Sequence, residues 1–283
     1  MAASVLADTS QHHLMLQRRD FFGIHQVRYE TADSTHVLLN GTTKHGAQSF
    51  APGRRRELLS YYTRTGPVGD VFRELPAPPG RKVAVVGLGT GATAAYGRAG
   101  ERWTVYEIDP GVERIARDPR YFTYLADSPA RIDVVLGDGR LSLARANDGS
   151  FNLIVLDAFS SDAIPVHLLT REAVALYFRK LAPGGALVFH LSNRYLALEP
   201  VVARLAEAEG AVARIRANVV RAEVARHKGE DPSVWAVMAA DSQSLGGLAS
   251  DSRWRRLRQQ RKIDMWTDDF SNVLQTLTIA RPF

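Results

Sequence analysis

The sequence has no cysteine in 283 residues, which excludes disulfides and thiolate metal sites. That suits a reducing compartment, and the chain is expected in the cytoplasm. No run of about eighteen apolar residues occurs, so no segment reads as a membrane span. The first twenty residues, MAASVLADTSQHHLMLQRRD, lack the long apolar stretch of a secretory signal. Aromatics make up only 8%, and neither an aromatic-rich single-strand platform nor a helix-turn-helix pattern accompanies the positive charge. The formal charge of +6 comes largely from Arg54–Arg56 and RWRRLRQQRK at 253–262. We read these as solvated basic faces and expect no nucleic-acid partner.

What is present is ordinary for a globular protein: 45% hydrophobic and 23% charged residues. The length allows one large domain, or one domain with a small accessory. PAPPG at 76–80 is the clear linker and sets the division. Residues 1–75 read as a β-rich region with a short helix, and 76–283 as the larger domain. Asn40-Gly41 marks a hairpin inside an antiparallel region at 20–50. A basic helix is expected at 53–64.

Beyond the linker, short β-rich runs alternate with helical stretches. The runs are KVAVVG (82–87), WTVYEID (103–109), IDVVLGD (132–138), FNLIVLDA (151–158) and GALVFHLS (185–192). Strands apolar nearly throughout are buried on both faces, so a parallel sheet covered by helices is expected. A helix near 199–209 and strands near 212–220 and 233–240 complete it. The fold class is therefore α/β, a Rossmann-like doubly wound sheet with a small N-terminal β-hairpin region.

Ligands of such sheets bind at the carboxyl ends of the strands. The first strand ends in Gly87-Leu88-Gly89-Thr90-Gly91, where glycine permits a tight turn and close approach of a ligand. Glu107 ends the second, twenty residues after Gly87, the interval at which an acid reaches a ribose diol. The third ends in Gly137-Asp138-Gly139, where Asp138 can accept an exocyclic adenine amine. The fourth ends in Asp157 and runs on to Asp162. Acids after three successive strands on one rim point to an adenosine-containing ligand. A nicotinamide dinucleotide competes, but the loop reads G-x-G-x-G with Ala92 in the last position of its fingerprint.

Several segments together resemble the spermidine synthase (polyamine aminopropyltransferase) family across roughly residues 35–240. They are NGTTKHGAQ, VVGLGTG, VYEID, LGDGR and IVLDAFSSDAIPVHLLTREAVALYFRKLAPGGALVFH. The first three strands share their acid skeleton with S-adenosylmethionine methyltransferases. FFGIHQV and WTDDFSN look like a divergent branch whose members are often fused to membrane domains. Membrane contact is thus expected only through a fused domain missing from this chain.

The resemblance implies a methyltransferase-type fold, a homodimer, an amine substrate, and decarboxylated S-adenosylmethionine, or the intact form, as co-substrate. It implies no metal. Gln48, Gly87, Gly89, Thr90, Glu107, Asp138 and Gly139 would bind that co-substrate. Asp157 would activate the attacking amine and Asp162 would help hold it; Tyr61 and Tyr62 either line the amine pocket or pack the β region. Three departures stand out. The family's glycine loop reads G-G-G-D-G, and Thr90 replaces its Asp. Its Y-H-E triplet is reduced to Tyr61-Tyr62-Thr63, and the loop around Asp162 is longer than D-x-x-D-P.

The chemistry follows from the acceptor. An alkylamine is a cation with pKa about 10, and it must lose a proton before attacking the carbon beside a sulfonium. A carboxylate both attracts the cation and takes the proton. The same site permits methyl transfer, which stays open as the alternative, together with ligand binding without catalysis. His45 and His190 read first as hydrogen-bonding residues, and His12-His13 lacks partner acids at ligand spacing. Ser160-Ser161 has no nucleophile-elbow context. Trp266, Asp268 and Asp269 read as a surface turn capping the C-terminal segment, with a cation pocket as the other reading.

Overall fold

Val83, Ala84, Val85 and Val86 have no polar face to offer solvent, and all four lie buried in the middle of a sheet. The computed structural model describes residues 12–159, 165–193, 195–220, 229–258 and 263–277. A first sheet is antiparallel and consists of β1 (His12–Asp20), β2 (Gly23–Glu30), β3 (Thr35–Asn40) and β4 (Thr43–Ser49), in that order. Helix α1 (Pro67–Glu74) leads to the second sheet. Its parallel strands are β5 (Lys82–Val86), β6 (Arg102–Glu107), β7 (Arg131–Leu136), β8 (Phe151–Leu156) and β9 (Leu181–His190). Helices α2 (Pro110–Arg117), α3 (Tyr124–Asp127), α4 (Gly139–Ala144) and α5 (Arg171–Lys180) connect them. Helix α6 (Glu199–Ala208), β10 (Val212–Asn218) and β11 (Ser233–Ala239) follow.

The seven strands run β10-β11-β9-β8-β5-β6-β7. Because β11 is antiparallel to both β9 and β10, it is the one reversed strand. The chain leaves edge strand β7 and re-enters beside β5 as β8, so the topological switch lies between β5 and β8. Side chains alternate across this sheet. Ala84, Val86, Ile154, Leu156, Leu187 and Phe189 pack against α5 and α6, and Val83, Val85, Leu153, Val155 and Val188 pack with α1 on the other face. Strand β7 departs from the expected double burial: Val135 and Leu136 are 39% and 47% exposed, because β7 is the sheet edge. No helix among the described residues is long and apolar enough to cross a membrane.

The hairpin at Asn40-Gly41 forms, one residue out of phase with the motif. Asn40 pairs with Thr43, so Gly41 and Thr42 are the turn's central residues, with Gly41 at φ +58°. Strand β1 lies before the region read as β. Most of its side chains are exposed, so backbone pairing to β2 forms it and no apolar alternation marks it. The helix expected at 53–64 is absent, and α1 comes after it. Ser60 stands at φ +62° with its N–H on the Gly229 carbonyl and its hydroxyl on Asp231, both at 2.5 Å. Pairing with 229–231 thus replaces helical hydrogen bonds.

Within the described part of the basic stretch, 253–258, Arg253 and Arg255 are tied down. Buried Asp70 receives Arg216, Arg73, Arg253 and the Trp254 indole N–H, and Arg255 pairs with Glu199. Trp266, read as part of a surface turn, is 1% exposed and belongs to the core. Asp268 beside it accepts both Arg140 guanidinium nitrogens, at 2.7 and 2.6 Å, and the Thr170 hydroxyl at 2.7 Å. Arg140 chiefly, aided by Thr170, holds this carboxyl down at about 2 from an ordinary 3.8. A depressed carboxyl stabilises the fold above its unfolded value and loses that contribution as pH falls through its folded value. The stability gap between wild type and Asp268→Asn is therefore expected to be full above pH 4 and to close toward pH 2, measured by urea unfolding across that range.

The small sheet lies directly on the glycine loop. Gly46 has φ +138°, and a Cβ there would stand 2.6 Å from the Thr90 Oγ1. A Cβ on Gly89 would stand 2.7 Å from the His45 carbonyl oxygen. Gly46→Ala is expected to destabilise the protein by about 1–3 kcal/mol, as strained backbone positions do. Adding Thr90→Ala removes the contact but not the φ strain, so urea midpoints should show partial recovery. An unchanged midpoint in Gly46→Ala would contradict this packing.

Candidate active site

One cavity of about 1070 Å³ opens along the carboxyl ends of the parallel strands and under the β2–β4 side of the small sheet. Among the described residues it is lined by Gly87 and Gly89 after β5, Glu107 to Asp109 at and after β6, and Asp138 and Gly139 after β7. Asp157 to Phe159 after β8 and His190 at the end of β9 also line it, as do Lys44, His45, Tyr61, Tyr62 and Asp231. The strand order places Glu107 and Asp138 on one side of the glycine loop, and Asp157 and His190 on the other.

On the first side, Glu107 accepts the Leu88 N–H on Oε2 and the Asp109 N–H on Oε1, both at 2.9 Å. Burial pushes its carboxyl above the usual range, and the backbone amides oppose the rise. A carboxylate has about four lone-pair sites, so Glu107 keeps acceptor capacity toward the cavity. Asp138 caps α4 through the Leu141 N–H at 2.8 Å, and its Oδ2 meets the His167 Nε2 at 3.0 Å. Ile108, 49% exposed, adds an apolar surface to the cavity wall beside them. Two acceptor carboxylates flanking an apolar surface suit a nucleoside.

On the other side, Asp157 Oδ2 accepts the Tyr62 hydroxyl at 2.7 Å, and Oδ1 meets the His190 Nδ1 at 2.7 Å. Burial first, then the Asp157 charge, holds the phenols of Tyr61 and Tyr62 far above their ordinary value. Tyr62 therefore stays a donor. The Tyr61 ring packs on Tyr62 and on His190, with centroids at 4.5 and 4.7 Å, and its hydroxyl donates to the Lys44 carbonyl at 3.1 Å. The Lys44 ammonium pairs with Asp231 at 2.8 Å. An acid with aromatic walls and hydroxyl donors can bind a cation and accept its proton.

The cavity thus gathers Gly87, Gly89, Glu107, Asp138, Gly139, Tyr61, Tyr62 and Asp157. Thr90 and Gln48 are fully buried and are not among its lining residues. Gln48 donates to the Arg55 carbonyl and the Thr123 hydroxyl and accepts the Thr123 N–H, so its amide ties β4 to the segment before α3. Thr90 is sealed beneath Gly46. Asp162 lies outside the described residues. Sequence reasoning passed over Asp231, Lys44 and Ser192. His190 was visible as a strand-end residue, but the strand-end argument was applied to acids alone.

Asp20, His25 and Asp109 also converge, their ligand atoms all within 4.8 Å of one another. His25 Nε2 stands 2.6 Å from Asp109 Oδ2. Two nitrogen or oxygen ligands of one tetrahedral zinc stand about 3.3 Å apart, given bonds near 2.0 Å. The closer spacing is that of a direct imidazole–carboxylate contact, which joins β2 to the N-terminus of α2.

No family model matches the chain. It is 32% identical over 134 residues to a polyamine aminopropyltransferase of Vibrio vulnificus, covering 45% of this chain and 42% of the relative. It is 31% identical over 192 residues to one of Nitrosomonas europaea, covering 65% of this chain and 56% of the relative. The chain therefore spans about half the length of the curated relatives it matches. A putative O-methyltransferase of Mycolicibacterium vanbaalenii is 32% identical over 114 residues, covering 39% of this chain and 46% of the relative.

A probable spermidine synthase from Corynebacterium glutamicum shares the fold at a TM-score of 0.59 and 16% identity, covering 88% of this chain and 98% of that one. The spermidine synthase of Thermotoga maritima does so at 0.58 and 12%, covering 90% and 81%. The sequence matches are thus to polyamine aminopropyltransferases and a putative O-methyltransferase, and the fold is shared with solved spermidine synthases.

Proposed function

We propose that the chain is a transferase of the aminopropyltransferase type, moving an aminopropyl group from decarboxylated S-adenosylmethionine to a di- or polyamine with release of methylthioadenosine. The observation that carries this reading is the division of one cavity by the glycine loop. Nucleoside acceptors, Glu107 and Asp138, stand on one side, and a single acid among aromatic rings, Asp157, stands on the other. Names of curated relatives support the same reading. A homodimer belongs to it, and sedimentation velocity tests that part.

The donor, when bound, supplies an electrophilic carbon beside a sulfonium and departs as a neutral thioether. The chain's residues do the rest. Glu107 accepts from the ribose hydroxyls, and Asp138 from the adenine amine. Asp157 attracts the acceptor's ammonium and takes its proton on a carboxylate oxygen, leaving the nitrogen lone pair free to attack. Tyr62 keeps that carboxylate in place, and the aromatic wall of Tyr61 shields it from water. Holding nitrogen and carbon in line contributes several kcal/mol of the barrier reduction. No residue need protonate the leaving group.

Methyl transfer from intact S-adenosylmethionine is the second reading. It is favoured by Thr90, which leaves the glycine loop without the family's acid, and by the putative O-methyltransferase relatives. Mass spectrometry of products separates the two. Incubation with decarboxylated donor and putrescine is expected to yield methylthioadenosine in step with the extended amine. S-adenosylhomocysteine formed from intact donor, with no methylthioadenosine, would replace the first reading by the second.

A further inference from the structure

A chain of hydrogen bonds runs behind Asp157. His190 Nδ1 lies 2.7 Å from Asp157 Oδ1, and its Nε2 lies 2.7 Å from the Ser192 hydroxyl. Ser192 Oγ in turn accepts the Val234 N–H at 2.9 Å. The imidazole is clamped flat on the Trp235 indole, centroids 4.2 Å apart and planes within 5°, with Phe159 edge-on at 5.1 Å and Tyr61 at 4.7 Å. Strand pairing fixes this stack, since His190 and Trp235 face each other in the β9–β11 ladder.

These contacts assign the protons. An ionised carboxylate only accepts, so Nδ1 carries a hydrogen and donates to Asp157. One Ser192 lone pair is already taken by the Val234 N–H, and its single hydrogen is then directed at Nε2. Every polar side-chain atom of the Asp157–His190–Ser192 hydrogen-bond series has a partner with His190 neutral. A second proton on Nε2 would reverse the last link: Nε2–H would donate to Ser192, whose hydroxyl hydrogen would turn away, toward the cavity that Ser192 also lines.

We propose that His190 and Ser192 are positioning residues for Asp157: together they lock one carboxylate oxygen, so that the remaining lone pairs face the acceptor amine. The proposal rests on the transferase reading above.

Two measurements on the whole chain test this. Nitrogen-15 NMR of labelled protein reads the tautomer without any turnover: His190 is expected to carry its proton on Nδ1, with Nε2 bare, and Ser192→Ala should disturb the Nε2 signal. A proton on Nε2 alone would overturn the assignment. In kinetics, His190→Gln moves the amide donor away from the Nδ1 position and is expected to lower kcat about 10- to 100-fold, the scale of a misplaced catalytic group. Asn places a donor near Nδ1, so His190→Asn should recover much of that loss. An unchanged kcat in His190→Gln, or labelling of Ser192 by a fluorophosphonate, would contradict a positioning role. If neither donor turns over with the wild type, the functional reading falls, while the NMR signature still decides the hydrogen-bond chain.

Discussion

Asp157→Asn is expected to lower kcat by about 10²- to 10⁴-fold, the range assigned to a positioned general base, while donor affinity stays within about threefold. The substitution is nearly isosteric, but it cannot accept a proton. It also offers one acceptor oxygen where Tyr62 and His190 both donate, so the amide must face one of them with its own N–H. The donor side is untouched, because Glu107 and Asp138 stand across the glycine loop. Steady-state rates with saturating donor, paired with calorimetry for methylthioadenosine, separate the two quantities. A variant that keeps kcat within threefold would remove Asp157 from its role. One that loses donor affinity instead would mean that the carboxylate serves binding.

Glu107→Gln is expected to have the opposite signature. Two charge-assisted hydrogen bonds to a ribose diol, each worth roughly 1.5–3 kcal/mol, predict a loss of methylthioadenosine affinity of about 100-fold or more. The amide must also turn its NH₂ toward either the Leu88 or the Asp109 N–H, both of which donate to the native carboxylate. That adds an instability of about 1–3 kcal/mol, within the 5–15 kcal/mol typical of a folded protein. Thermal unfolding without ligand shows whether the variant remains folded, so the affinity loss can be read on its own.

The pH dependence has a definite sign. In the proposed reading Glu107 binds the diol as a carboxylate, and burial has raised its folded value. Donor affinity should fall as pH drops through that raised value, and it should do so earlier than an exposed glutamate would allow. The same shift makes the ionised group a cost to the fold, so the Glu107 contribution to stability is greatest below its unfolded value and is lost as pH rises through the folded one.

The large sheet was legible because β5, β8 and β9 are buried on both faces and carry unbroken apolar runs. The rim acids were legible because the strand ends could be counted from those runs. Strand β1 was not, since its side chains are exposed and only backbone pairing holds it. The segment 53–64 misled because its helical look depends on local pattern, while Ser60 is bound by Gly229 and Asp231, far away in sequence. Asp138 and Asp109 illustrate a different limit. Each caps a helix, so an acid at a strand end has a structural duty that sequence alone does not separate from ligand binding. Thr90 and Gln48 belong to motifs, yet the small sheet covers one and absorbs the other. Such burial is set by how two sheets meet, and no local pattern encodes it.

The central claim is that one cavity holds an adenosyl ligand across the glycine loop with its sulfur directed at Asp157. A crystal structure of the protein soaked with methylthioadenosine tests this most directly. The ribose hydroxyls are expected on Glu107, the adenine amine beside Asp138, and the thioether pointing toward Asp157 and the Tyr61–Tyr62 wall. A ligand bound with its ribose elsewhere, or with its sulfur turned away from Asp157, would contradict it.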